Sequence, residues 1–255
     1  MGSGSAVASG QLSAVPSIDT PRISPTIRRD AVIHSTLALS LWSRSRLKRA
    51  FDLAFILCSL PFTLPLLILT AAAVRFTSHG PVLFRQVRTG WAGRAFTICK
   101  FRTMPVAAPA SMRPSITTTA NQSFTPVGLF LRRWKLDELP QLFNVLRGEM
   151  SLVGPRPKLP RLHSGRLPCR PGITGRASLI FAREEIALSA LPASRVDTFY
   201  CSVIRPLKQN LDDDYMAKAT FASDLGLILR SVFRRWGDAE FSALVPSLTR
   251  HPIVH

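Results

Sequence analysis

Lys135–Pro157 reads KLDELPQLFNVLRGEMSLVGPRP, and how it folds sets what the rest of the chain must do. Adjacent carboxylates, Asp137 and Glu138, precede Leu139, Leu142, Phe143 and Leu146, apolar residues at helical spacing that would bury one face. Pro140 is tolerated only near a helix start, where amide hydrogens lack intrahelical partners. The spacing therefore predicts a short amphipathic helix with both carboxylates in or beside its first turn, at the positive end of its dipole. Gly148 is a natural stop, and Gly154-Pro155-Arg156-Pro157 makes a tight basic turn. Acidic residues favour helix starts for capping alone, which would make Asp137 a cap and Glu138 an exposed neighbour. The charge background weighs against that reading: 15 acidic residues stand against 33 basic ones, and this pair is flanked by Arg132, Arg133, Lys135, Arg147 and Arg156. Such a setting points to a nucleophile or a metal site, with helix amides and arginines to hold a polyphosphate.

Across 255 residues the formal net charge is +18, which calls for a polyanionic partner: nucleic acid, an anionic membrane or a phosphorylated substrate. Aromatic residues make up only 8%, without a stacking platform or a nucleic-acid motif, so membranes and phosphates fit better and no nucleic-acid partner is expected. Cys58, Cys99, Cys169 and Cys201 are scattered without ligand spacing, which suits a reducing cytosol better than zinc or a disulfide framework.

N-terminal to the carboxylates, Ala95–Arg102 alternates, with Phe96 and Ile98 on one face and Thr97 on the other. With Pro81–Arg88 and the turn Thr89–Gly93 it predicts a β-hairpin with Lys100 and Arg102 at its end. Further back, Leu53–Val74 carries no charge, enough for a helix of about 33 Å. Pro61 and Pro65 sit within it and would bend it, with Ser59, Thr63 and Thr70 available to satisfy freed carbonyls. Cations lie on both sides of the run, so the positive-inside rule exports neither end. A re-entrant helix and a kinked single-pass anchor are near even on these grounds. Asp52, where the run begins, reads chiefly as a cap, and Lys48 and Arg49 as interface markers.

Residues 1–45 are rich in Ser, Ala, Pro and Gly and read as a disordered tail; a cleaved leader is not expected, because the apolar run begins too late. Thr125-Pro126 predicts a helix start. Arg170-Pro171-Gly172-Ile173-Thr174-Gly175 reads as a turn whose glycines permit positive φ and whose amides could bind an anion, or as a plain loop. Ser223–Gly237 predicts an amphipathic helix capped by Ser223 or Asp224, either packed on the core or lying in a membrane interface. Residues 238–255 read as a tail.

Five segments resemble, in order, the signature of the bacterial sugar transferases, the monotopic phosphoglycosyl transferases that act on polyprenol phosphate. They are KRAFD (Lys48–Asp52), PVLFRQ (Pro81–Gln86), KFRTM (Lys100–Met104), LDELPQLFNVLRGEMSLVGPRP and RPGITG (Arg170–Gly175). The resemblance implies an α+β, mostly helical protein: a membrane re-entrant helix over 46–76, bent at Pro65 or Pro61, and a cytoplasmic catalytic domain over 77–237. It implies transfer of a sugar-1-phosphate from a nucleoside diphosphate sugar, expected to be a UDP-sugar, to undecaprenyl or a related polyprenol phosphate. The site would lie on the inner leaflet of the bacterial cytoplasmic membrane and initiate exopolysaccharide, lipopolysaccharide or capsule synthesis. Asp137 would be the nucleophile, Glu138 its partner, and both would hold Mg2+; Arg156, Lys100, Arg102 and Arg170 would bind phosphates. The chain departs from the family at Leu64, where a serine is usual, and at Arg176-Ala177-Ser178. The rival reading is a non-catalytic, membrane-tethered basic protein that binds anionic lipid or nucleic acid, with an acidic pair that only caps a helix.

Overall fold

The computed structural model describes residues 39–106, 124–160, 167–189, 191–233 and 238–245. Most of the expected N-terminal tail, the stretch Asn121-Gln122-Ser123 and the end of the chain lie outside the described residues. The chain begins with α1 (Leu41–Arg44) and the long α2 (Arg46–Thr77), then a hairpin of β1 (Leu83–Thr89) and β2 (Ala95–Phe101). Next come α3 (Gly128–Arg133), a 3-10 turn (Leu136–Glu138), α4 (Gln141–Leu146) and the short strands β3 (Ser151–Val153) and β4 (Gly172–Thr174). Six helices finish it: α5 (Arg176–Ile180), α6 (Glu184–Leu188), α7 (Ala193–Phe199), α8 (Arg205–Lys218), α9 (Phe221–Val232) and α10 (Asp238–Leu244), with a π turn (Tyr200–Ile204) between α7 and α8. Mostly helical with small sheets, the architecture agrees with the expected class.

The 32-residue α2 starts where the Ser45 hydroxyl accepts from the Lys48 amide, and it runs through Pro61 and Pro65 as one helix. Each proline removes the amide that would serve the carbonyl four residues back, Leu57 and Pro61. The Ser59 and Thr63 hydroxyls donate to the Ile56 and Ser59 carbonyls instead, so the expected rescue of freed carbonyls is not what they do. Both ends of α2 are anchored to the same folded unit. At the entry end Lys48 is buried against Asp224, Asp52 accepts from the Ser151 hydroxyl and the Leu152 amide, and Ile56 is fully buried. Asp52 and Lys48 are therefore ties to the core, not a cap and a headgroup contact. At the exit end Val74 packs on Phe101 and Leu131. Between the anchors Leu57, Phe62, Leu64, Ile68 and Leu69 are exposed, Phe62 by 80%.

The hairpin follows its period-two pattern: Phe96 and Ile98 are buried and Thr97 is exposed, with Arg88 opposite Phe96 and Phe84 opposite Lys100. Ala92 and Gly93 take positive φ in the connecting turn. β3 and β4 pair in parallel, Ser151 with Gly172 and Val153 with Thr174. The expected anion-binding turn at Arg170–Gly175 is thus largely a strand. Glycine at 172 is required by close approach rather than by φ, since a Cβ there would lie 2.1 Å from the Gly154 nitrogen.

Asp137 and Glu138 occupy a 3-10 turn entered through Lys135 at φ 57° and ending just ahead of α4, so the pair lies beside the helix's first turn and not within it. Other helix expectations are corrected. The buried face of α4 is Gln141, Asn144 and Val145, while Phe143 and Leu146 point outward, 50% and 39% exposed. α3 starts at Gly128 with no side-chain cap, Thr125 being tied to the Thr103 carbonyl. α9 is capped by Thr220 in a reciprocal box with Ser223, which leaves Asp224 wholly buried, and α10 forms inside the expected tail with Phe241 buried against Phe181.

Candidate active site

Glu138 is the electrostatic hub. Its Oε1 accepts from Lys100 Nζ at 2.6 Å and from Arg156 Nη2 at 3.0 Å. Burial works to raise the Glu138 carboxyl, but Lys100, Arg156 and Lys135 together outweigh it and hold the group well below the usual range. The same ion contact raises the Arg156 guanidinium above its ordinary value, while burial lowers the Lys100 ammonium. Asp137, next in the chain, fares oppositely: burial and then the Glu138 charge push its carboxyl up, against the pull of Lys100 and Lys135. Its Oδ1 is buried with no hydrogen-bond partner. The turn thus holds one carboxylate locked ionised by cations and a second, more basic one with a free oxygen.

Local folding explains how Lys100 reaches the turn. Asn144, fully buried on α4, accepts from the Cys99 amide and donates to the Thr97 carbonyl at 2.8 Å and to Glu149 at 2.7 Å. This side chain fastens α4 to β2, and Lys100 leaves β2 one residue beyond Cys99. Arg156 arrives from the loop after β3, which the parallel pairing with β4 fixes. Beside the pair lies a narrow cleft lined by Arg88, Lys100, Gln141, Arg156, Gly172 and Ile173.

Of the residues singled out from sequence, Asp137, Glu138, Lys100 and Arg156 come together. Arg102 and Arg170 do not. Arg102 is buried at the far end of β2, donating to the carbonyl and hydroxyl of Ser78 at 2.8 and 2.7 Å. Arg170 donates to the Gly148 carbonyl at 2.8 Å and lies over the Trp91 ring at 5.0 Å, completing the C-terminal end of α4. Sequence reasoning missed Gln141, Asn144 and Arg88. The first two follow Glu138 at steps of three, a polar stripe that the apolar residues masked. Arg88 shares the hairpin face of Lys100 in a register that period two allows.

A magnesium ion would need an acceptor-rich pocket. Among the described residues no three His, Cys, Asp or Glu side chains group as ligands. Asp137 Oδ1 is nevertheless a buried acceptor without a donor, and Mg2+ commonly takes only one or two carboxylates, drawing its other ligands from water and substrate phosphates. The residues fit such an ion, with Asp137 as the holding group; Glu138 Oε1 is already taken by two cations.

An undecaprenyl-phosphate glucose phosphotransferase of Komagataeibacter xylinus is 42% identical over 161 residues, 58% of this chain and 30% of its own length. A UDP-glucose:undecaprenyl-phosphate glucose-1-phosphate transferase of Caulobacter vibrioides is 36% identical over 201 residues, 72% of this chain and 68% of its own length. A UDP-N-acetylgalactosamine-undecaprenyl-phosphate N-acetylgalactosaminephosphotransferase of Aeromonas hydrophila is 36% identical over 145 residues, 52% of this chain and 34% of its own length. The model of the family described as Bacterial sugar transferase matches residues 43–237, a stretch that takes in α2, the hairpin and the carboxylate turn. On that match the chain belongs to the bacterial sugar transferase family.

Proposed function

We propose that the protein transfers a sugar-1-phosphate from a nucleoside diphosphate sugar, a UDP-sugar by its relatives' names, to a polyprenol phosphate such as undecaprenyl phosphate. The carrying observation is the split in the turn: Glu138 is saturated by Lys100 and Arg156, while Asp137 keeps a buried, unpartnered oxygen and a raised affinity for protons. A more basic carboxylate is the better nucleophile. In the first step an Asp137 oxygen bonds to the phosphorus bearing the sugar and the P–O bond to the nucleotide breaks, its electron pair leaving with the nucleoside monophosphate. In the second the lipid phosphate displaces Asp137 from the aspartyl phosphosugar. Arg156 and Lys100 offset the charge gathered on the transferred group. Bound at Asp137, Mg2+ would add charge neutralisation. Relatives use glucose or N-acetylgalactosamine, so the proposal stops at the sugar class.

The placement of α2 supports a re-entrant helix on the inner leaflet. It is the one described helix long and apolar enough to cross a membrane, yet Asp52 and Val74 near its two ends both bind the catalytic unit. A single folded unit on one side of a bilayer would keep both ends on one face, and cations on both sides of the apolar run favour the cytoplasmic face. The test is radiolabel from the sugar phosphate: purified protein without lipid acceptor should become labelled and release nucleoside monophosphate, and adding polyprenol phosphate should discharge the label. Turnover without any labelled protein in single-turnover samples would refute the two-step path.

A further inference from the structure

The cleft beside the carboxylate turn contains more donors than the protein satisfies. Arg88 projects from β1 on the face it shares with Lys100 and lines the cleft with Arg156 and Gln141. Its Nη2 bonds the neutral Gln86 Oε1 at 2.6 Å and its Nη1 reaches only the Pro157 carbonyl, at 3.4 Å. Its Nε is buried without a partner. Gln141, 2% exposed, likewise has a buried Nε2 with no acceptor. Lys100 and Arg156 share one carboxylate oxygen, Glu138 Oε1, and among the described ion pairs none involves Arg88. Burial lowers Arg88 to about 10, and the nearby Arg156 adds to that effect. Two guanidiniums side by side, with idle N–H groups around them, are complementary to a ligand with many acceptor oxygens and more than one negative charge.

We infer that Arg88, with Gln141, forms a second phosphate subsite beyond Arg156, which holds the nucleotide-side phosphate of a diphosphate whose sugar-side phosphate lies at Lys100 and Arg156. The inference rests on the phosphotransfer reading and deepens it. Arg156 contacts Glu138 and Arg88 contacts neither carboxylate, so the phosphate reached by Asp137 is assigned to Arg156 and the departing one to Arg88. The negative charge released when the P–O bond breaks then develops against a guanidinium that forms no ion pair among the described residues. Gln141 donates to the same oxygens without adding charge.

Inorganic pyrophosphate and inorganic phosphate are the probes, titrated calorimetrically into the full chain in detergent micelles. The wild type should bind pyrophosphate more tightly than phosphate. Arg88→Gln should remove that preference, a loss of roughly tenfold or more in pyrophosphate affinity with little change for phosphate. Arg88→Lys should restore part of it. A folded Arg88→Gln protein that keeps the full preference overturns the inference. Should that variant not fold, phenylglyoxal labelling of the wild type decides: pyrophosphate must protect Arg88. An Arg88 labelled equally with and without pyrophosphate, or in neither state, overturns it, because a subsite must be reachable and coverable. If the Arg88 results hold while no nucleoside diphosphate sugar yields a monophosphate, the phosphotransfer reading fails and the anion subsite stands. If monophosphate is released and Arg88 is indifferent, only the subsite fails.

Discussion

Among the regions of this molecule that bury acids, two treat them in opposite ways. At the entry of α2, Asp224 accepts from Trp42 Nε1 and the Tyr215 hydroxyl, both at 2.8 Å, and from the Lys48 ammonium. Asp52 nearby takes the Ser151 hydroxyl at 2.8 Å and the Leu152 amide at 3.3 Å. In the carboxylate turn Glu138 is equally well served, but Asp137 Oδ1 has nothing. A buried acid that is fully hydrogen-bonded fixes geometry, whereas one left short of donors holds its energy in reserve for a ligand. The contrast separates a socket for α2 from a site suited to chemistry.

Replacing Asp137 by Asn should have the largest effect, a fall in turnover of at least ~10⁴-fold with no labelled intermediate. The same variant should melt higher than the wild type at neutral pH. The Asp137 carboxyl is raised in the folded state, so the stability it contributes is present in acid and lost as pH rises through its folded value. The melting gap should therefore widen from acid to neutral pH, and a variant that melts lower throughout would mean Asp137 is structural after all. In the socket, Asp224→Ala strands the buried Lys48 and should cost about 3–5 kcal/mol in denaturant unfolding. A smaller loss would show that the network is open to water.

Arg156→Lys keeps the charge but loses the planar fork, and should lower turnover roughly 10- to 100-fold with unfolding stability little changed. The mildest test is the pH profile. Turnover requires ionised Asp137, so it should fall on acidification through a midpoint above the ordinary aspartate value, while Glu138, held low, leaves that limb unaffected. A midpoint at or below the ordinary value would remove the distinction between the two carboxylates.

How much of this could be read in advance depends on which solvent each face meets. The hairpin was legible because Phe96, Thr97 and Ile98 alternate between core and surface, and two solvents are enough to decode period two. The ion cluster was legible only in part: the resemblance named Lys100 and Arg156 for phosphates, not for Glu138, and grouped them with Arg102 and Arg170, which bond elsewhere. α4 was misread because Leu142, Phe143 and Leu146 mark an apolar side without saying what covers it. Here Phe143 and Leu146 point outward and Asn144 takes the core, where it accepts from the Cys99 amide and donates to the Thr97 carbonyl. β3 and β4 were invisible because strands of three residues are too short to show a period. The same brevity hid the close backbone contact between Gly154 and Gly172. Asp224 read as a cap because an acid at a helix start usually is one; its partners, Trp42 and Lys48, lie far away in the chain.

The double anchoring of α2 bears on how the protein can be produced. Ile56 and Val74 belong to the two hydrophobic clusters of the catalytic unit, and Lys48 supplies the counter-charge for Asp224. Cutting the gene after residue 77 to obtain a water-soluble enzyme would remove walls of the interior along with the greasy segment, so the shortened product should collect in inclusion bodies. Nascent chains face the same constraint, since the globular part can close only once both ends of α2 are in place.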